Sequence, residues 1–288
     1  MTFLELKNAG KTYGRGTSTE VNVLKDISLQ VSEGEFVAIV GYSGSGKSTL
    51  INFLSGLTRP DSGSALFRGA PIKGPDPERG LIFQNYSLLP WLTVYDNIGL
   101  AVNSVFGKWE RKTRDHHIRR FIDLVKLTPA INKYPSELSG GMRQRTAVAR
   151  TLAMDPEVLL MDEPLGALDA LTRSELQKEI AGIWEKQRKT AVLITNSVDE
   201  GLLLADRIIP LTLGPAATLG PEFIVDLPRP RDAATLNHNP TFMRLRGEIT
   251  EYLIEIGRKE TSEVDNIVPL PDIRPLDPSE RIAHTWVS

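Results

Sequence analysis

The chain has 288 residues, 34 basic and 36 acidic side chains, and a hydrophobic fraction of 41%, enough for one substantial core with an appendage or for two modest domains. Its formal charge of −2 gives no general attraction to nucleic acid, and its lack of cysteine excludes disulfides, thiolate metal sites and cysteine nucleophiles. The four histidines (His116, His117, His238 and His284) are too scattered for a metal cluster, and no apolar run approaches the roughly 18 residues of a membrane span. The start lacks the apolar core of a secretion signal, so a cytoplasmic location is expected, with any membrane role borrowed from a partner.

Phe3–Gly34 alternates apolar and polar residues between Gly and Asn breaks, which predicts antiparallel strands. EFVAIV then runs uninterrupted, as a strand buried on both faces does. It leads into GYSGSGKST, residues 41–49, beyond which Leu50, Phe53, Leu54 and Leu57 fall at helical spacing. The loop fits G-x-x-x-x-G-K-[ST] through Gly41, Gly46, Lys47 and Ser48, with Ser43, Gly44, Ser45 and Thr49 completing it. Glycines let backbone N–H groups turn onto phosphate oxygens, and the helix N-terminus adds its partial positive charge. Lys47 can reach the outer phosphates and Ser48 can ligate Mg²⁺, so the loop is read as a nucleotide site.

The segment from about 86 to 154 is helical in pattern. Within it, Lys108–Arg120 is densely basic, but its interspersed acidic residues favour a solvated helix face carrying His116 and His117 over a nucleic-acid patch. LSGGM, residues 138–142, opens a helix with small residues whose backbone an anion can approach closely. Strands resume at EVLLMD, where Asp162 ends an apolar run as a Mg²⁺-holding carboxylate does, and Glu163 can polarise an attacking water. Alone, an Asp-Glu pair is more often a helix-start signal. Its weight comes from the phosphate loop, since groups at the carboxyl ends of parallel strands meet in one crevice. AVLIT is a further strand, ending on Asn196.

After about Pro215 the composition turns proline-rich. Asn239-Pro240 predicts a helix start, Phe242, Leu245, Ile249, Leu253 and Ile256 form one apolar stripe, and Gly257 is placed to end the helix. Residues 216–288 are expected to be an extension packed on a 1–215 body, ending in a loose tail from Thr261.

KTYG, GYSGSGKST, IFQNYSLLP, LSGGM, VLLMDEP and GALDA stand in the order found in ATP-binding subunits of ABC transporters, which the chain resembles over roughly residues 1–215. Met142 stands where that family usually has glutamine. The resemblance implies a P-loop NTPase (RecA-like) α/β core with an antiparallel β subdomain and an inserted helical subdomain. It implies ATP and Mg²⁺ as ligands, a head-to-tail dimer with two sandwiched ATP molecules, membrane permease subunits and a substrate-binding protein, at the cytoplasmic face of the plasma membrane. Tyr13 would stack on adenine, although a hairpin tyrosine also serves packing alone. Gln84 would contact Mg²⁺ and the attacking water. Leu138, Ser139, Gly140, Gly141 and Met142 would meet the γ-phosphate held by the opposite subunit, and Asp169 would couple the two sites. Leu88, Leu89, Trp91 and Leu92 form an apolar cluster that suits either docking on the membrane subunit or a core.

In this family a histidine normally follows the AVLIT-type strand. Asn196 takes its place, and no histidine lies between His117 and His238. An amide can donate a hydrogen bond to a phosphate but can neither carry charge nor transfer a proton. ATP affinity is therefore expected to persist while hydrolysis weakens, which suits a heterodimer with a paralogous, histidine-bearing subunit. Residues 210–231 together with ITN are similar to ATP-binding subunits of nitrate and bicarbonate importers in the nitrate/sulfonate/taurine branch. By that analogy the cargo is nitrate or nitrite first, bicarbonate or cyanate next, then sulfonates. Two other classes stay open: a soluble ABC ATPase of DNA repair or translation, for which a coiled-coil insertion or second cassette is lacking, and an ATP-binding regulatory module, against which Asp162 and Glu163 stand.

Overall fold

A computed structural model describes residues 2–263 except residue 167. The N-terminal alternation closes into an antiparallel pair, β1 (Thr2–Tyr13) with β2 (Val21–Ser32). β3 (Phe36–Val40) runs into the phosphate loop, and α1 (Lys47–Ser55) begins at its lysine. Gly56, in the left-handed region at φ 83°, ends α1, so Leu57 falls outside the helix and is exposed. That departs from the predicted stripe, in which Leu57 was the last member. β4 (Ser62–Phe67) and β5 (Ala70–Pro71) complete a four-stranded sheet of order β2-β1-β4-β5.

β6 (Arg79–Ile82) opens the second sheet and is followed by the helical segment. This comprises α2 (Val94–Val105), α3 (Arg111–Leu124), two short 3₁₀ turns and α4 (Gly140–Leu152). Next come β7 (Val158–Asp162), α5 (Ala170–Gln187), β8 (Thr190–Thr195), α6 (Val198–Leu204), β9 (Arg207–Pro210) and β10 (Phe223–Ile224). α7 (Ala233–Leu236) and α8 (Pro240–Glu263) finish the described chain. The second sheet has the order β10-β9-β3-β8-β7-β6; β10 is antiparallel and the other neighbours are parallel.

Burial on both faces explains the unbroken apolar strands. Along β3, Phe36, Ala38 and Val40 join the helical core on one side, while Val37 and Ile39 face α1 and the first sheet. α1 lies between the sheets with Leu50, Ile51, Phe53 and Leu54 fully buried, which seats the phosphate loop at the edge of two cores.

Two sequence expectations are corrected. His117 does not share the exposed face of α3: its ring packs on Phe106, Trp109 and Phe121, and Nε2 lies 2.9 Å from the Ala153 carbonyl. The aromatic ring supplies apolar area and one polar tip, both used inward. Gly257 does not end its helix, since α8 continues to Glu263. The predicted start holds, because Asn239 Oδ1 accepts from the N–H of Thr241 (2.9 Å) and of Phe242 (3.2 Å). Phe242, Leu245 and Ile249 are buried in the helical core. The expected loose tail lies outside the described residues from 264 onward.

Arg231 stitches the segment after β9 to the body. Its guanidinium is buried and donates to the carbonyls of Leu202, Ala205, Val225 and Leu227 at 2.6 to 3.2 Å. Burial, then repulsion from Arg229, pulls its pKa down to about 10. Replacing it strands several buried acceptors at once. Arg231→Leu should lower the unfolding free energy by about 3 kcal/mol in urea titration, and a loss below about 1 kcal/mol would show that the carbonyls find other partners.

Candidate functional site

Strand register assembles the site. Val40 pairs with Thr195 and Asp162 with Ile194, so Gly41, Glu163 and Asn196 leave the sheet at one edge, the carboxyl ends of its parallel strands. The Glu163 N–H donates to the Ile194 carbonyl at 2.9 Å, fixing the turn-off.

Lys47, only 4% exposed, donates Nζ to the carbonyls of Gly41 (3.0 Å) and Tyr42 (2.7 Å) and lies 3.4 Å from Glu163 Oε1. The other oxygen of Glu163 accepts from Gln84 Nε2 at 3.1 Å. Ser48 Oγ donates to Asp162 Oδ1 at 3.2 Å, and Asn196 Nδ2 donates to Ser43 Oγ at 3.4 Å. Two separate stretches of sequence, at 162–163 and at 196, thus touch the loop directly, and Gln84 joins them through Glu163.

The loop is built for an anion. Gly44 and Gly46 have φ of 83° and 96°, and a Cβ on Gly46 would lie 2.9 Å from both Val23 and Leu24, so only glycine fits there. The Ser45 hydroxyl is buried with no hydrogen-bond partner among the described residues. A cavity of about 370 Å³ opens in front, floored by Ser43, Gly44, Lys47, Ser48 and Thr49 and walled by Gln84 and Glu163. Burial lowers the Lys47 pKa, against the opposing pull of Glu163 and Asp162. Burial raises that of Asp162, which Ser48 and Lys47 counter. An anionic ligand in the cavity would add to the counter-charge that Glu163 already gives this buried ammonium. Glu163 itself sits at φ 45°, a left-handed backbone that a non-glycine residue adopts at a cost, and it aims the carboxylate back across the loop.

Ser48 and Asp162 provide two oxygens side by side, and no cluster of three or more His, Asp or Glu exists among the described residues. That donor set fits a hard divalent ion whose remaining ligands are phosphate oxygens and water.

Other expected site residues stand apart from this cavity. Tyr13, at the end of β1, is 43% exposed with Lys11 Nζ 5.5 Å from its ring centroid, and it does not line the cavity, whereas Val23 does. Leu138 is buried. Ser139 caps α4 by accepting from the Met142 N–H at 3.3 Å, and Gly140 follows at the first turn. A Cβ on Gly141 would lie 2.3 Å from Thr172, so glycine there lets α4 meet α5. Asp169 caps α5, accepting from the Thr172 N–H at 3.0 Å, which holds its carboxyl below the usual range. None of the residues from 138 to 142, nor Asp169, lines the cavity of its own chain.

A second cavity, of about 240 Å³, lies beyond Glu163 and is lined by Asn196, Arg173 and Glu200 among others. The sequence reading missed Glu200. S-V-D-E reads as a helix capping box, and Ser197 does accept from the Glu200 N–H at 3.3 Å. The glutamate side chain turns instead beneath the strand and accepts from the Thr195 hydroxyl, with burial raising its pKa. Thr195 and Ser197 are thereby held on either side of Asn196.

A family model described as ABC transporter matches residues 24–166. The nitrate import ATP-binding protein NrtD of Synechococcus elongatus is 45% identical over 255 residues, covering 87% of this chain and 91% of the relative. The bicarbonate transport ATP-binding protein CmpD of the same organism is 44% identical, covering 87% and 90%. Its nitrate import ATP-binding protein NrtC is 47% identical, but the chain spans only 38% of that relative's length. Among solved structures, the dimeric post-hydrolysis state of the ATP-binding cassette MJ0796 bound to ADP and Pi superimposes with a TM-score of 0.70 at 31% identity, covering 78% of this chain and 99% of that one. On motifs, sheet order and likeness together, the chain belongs to the ABC transporter family, as an ATP-binding cassette.

Proposed function

We propose that this chain is the ATP-hydrolysing subunit of an importer for a small inorganic anion, nitrate or nitrite before bicarbonate. The observation that carries hydrolysis is the placement of Glu163, ion-paired to Lys47 and hydrogen-bonded by Gln84 at the mouth of the phosphate cradle. Support for the cargo is the likeness to NrtD along nearly its whole length. CmpD, at 44% against 45%, keeps bicarbonate as the second reading. Residues 1–215 would form the catalytic body and 216–288 its extension. The cassette would work peripherally at the cytoplasmic face of the membrane, with permeases and a substrate-binding protein. No helix among the described residues is long and apolar enough to cross a bilayer. Trp91, 68% exposed beside the half-buried Leu88, Leu89 and Leu92, is the apolar surface suited to a permease.

The chemistry follows from the ion pair. Lys47 has Glu163 as its counter-charge, and ATP phosphates offer a stronger one, so binding would release the carboxylate. Glu163 is then free to take a proton from a water that Gln84 helps orient. Mg²⁺, bound between Ser48 and Asp162, would neutralise phosphate charge. Asn196 offers the γ-phosphate one amide hydrogen bond and no proton. Tyr13 would flank the base, while the residues from 138 to 142 and Asp169 would serve the nucleotide of a facing subunit.

A facing subunit of a different kind would restore what Asn196 lacks. The presence of two distinct nitrate import ATP-binding proteins in one organism supports such unlike pairs.

Glu163→Gln should leave MgATP affinity within about threefold and cut turnover by roughly 10²- to 10⁴-fold, measured as phosphate release. Equal loss of binding and turnover would deny Glu163 the role of base. Asn196→His should raise turnover of the isolated chain several-fold and change little once a histidine-bearing partner is added. A rate unmoved in both settings would sink the heterodimer argument. Nitrate against bicarbonate stimulation of ATPase in the reconstituted importer decides the cargo.

A further inference from the structure

Tyr42 occupies an unconstrained position of the phosphate-loop motif, yet it makes the loop's one long-range tether toward the C-terminal helix among the hydrogen bonds of the described residues. Its hydroxyl donates to the Leu253 carbonyl of α8 at 3.1 Å, 211 residues away in sequence. A helical carbonyl has a second lone pair available for such a bond. The ring packs on Gly257, where a Cβ would stand 3.1 Å from the hydroxyl oxygen and 3.5 to 3.7 Å from ring carbons. This contact accounts for a glycine inside a helix, which costs about 0.5–1 kcal/mol relative to alanine.

The same residue's backbone carbonyl accepts from Lys47 Nζ at 2.7 Å. Tyr42 therefore links the phosphate-binding ammonium on one side to α8 on the other. α8 is a firm reference, since Phe242, Leu245 and Ile249 are buried in the core and Tyr252 packs against Gly220 and Phe223. It also grips the opposite limb of the site: Arg246 Nε lies 2.7 Å from Asp199 Oδ1, three residues past Asn196. The helix thus reaches the phosphate loop through Tyr42 and, through Asp199, the helix α6 that follows Asn196.

We propose that Tyr42 is a positioning residue for nucleotide binding, and that through it α8 sets the affinity of the phosphate loop for ATP. The inference rests on the loop being the ATP site and goes beyond it by assigning a part in that site to a helix outside residues 24–166. With the tether intact, the Tyr42 carbonyl is held where it aims Lys47. Without it, the loop spends part of its time in conformations that ATP must reorder, and affinity falls by that fraction.

The test uses the full chain and measures MgATP dissociation constant, melting temperature and turnover at saturating ATP. Wild-type chain that binds no MgATP would refute the site itself rather than this inference. Tyr42→Phe keeps the ring and removes the tether; it should raise the dissociation constant roughly 3- to 10-fold, the worth of one neutral hydrogen bond, with turnover within about twofold. Gly257→Ala should hold or raise the melting temperature, because alanine favours the helix, yet still weaken ATP binding by displacing the hydroxyl. The double variant should bind no more weakly than Tyr42→Phe alone, since the displaced group is gone. An unchanged dissociation constant in Tyr42→Phe, or affinities that merely follow melting temperature across the three variants, would overturn the proposal.

Discussion

Lys47 carries a positive charge into a setting that is 4% exposed, and an ammonium group without water must find oxygen acceptors in the protein itself. The carbonyls of Gly41 and Tyr42 supply two, and the carboxylate of Glu163 supplies the counter-charge. Meeting that demand dictates much of the surrounding architecture. The loop must curl so that the carbonyls of Gly41 and Tyr42 face Lys47, and glycine at 44 and 46 takes the positive φ of that curl. β7 must end one strand away from β3 in register, with Glu163 turned into the left-handed region to face the lysine. The site's geometry is thus the solution to a desolvation problem. A polyphosphate is the ligand that solves it better than the protein's own carboxylate.

Holding that arrangement in place falls to packing. β3 feeds side chains alternately into two cores, and α1 is clamped between the sheets by four fully buried residues. Elements so packed fix the two ends of the loop, and what lies between is held by the contacts of Lys47 and Tyr42. On the far side, Arg231 and α8 fasten the segment beyond β9 to the same body, so the C-terminal helix is also part of the scaffold that meets the loop.

What the sequence made legible is what depends on local pattern. Uninterrupted apolar runs gave the buried parallel strands, and glycine-lysine-serine spacing gave the cradle. A proline after Asn239 gave the start of α8, because each of these is decided by a few consecutive residues. What stayed hidden is decided at long range. Gly257 carries the local mark of a helix end, but the Tyr42 ring from 215 positions away explains it better. Glu200 mimics half of a capping box while its carboxylate belongs to Thr195. His117 sits in a hydrophilic run, and only the fold shows three aromatic rings closing over it. In each case the residue's type fits two partners, and its immediate neighbours advertise the wrong one.

Asn196 shows the reverse: a position whose chemistry can change while the structure takes no notice. The strand end beneath it is secured by Thr195 on the buried carboxylate of Glu200, and the following helix by the Ser197 cap, neither of which uses the side chain at 196. Asn196 is exposed and, among the described residues, its side chain makes one long amide contact, with Ser43. A substitution there costs little in folding because, among the described residues, no core contact and no buried polar group depends on it. The elements that bind phosphate are woven into the two cores, whereas the group that differs from the family pattern is hung on a frame already complete. The fold around the phosphate loop is therefore independent of the side chain at 196, which is what the proposed separation of ATP binding from hydrolysis requires.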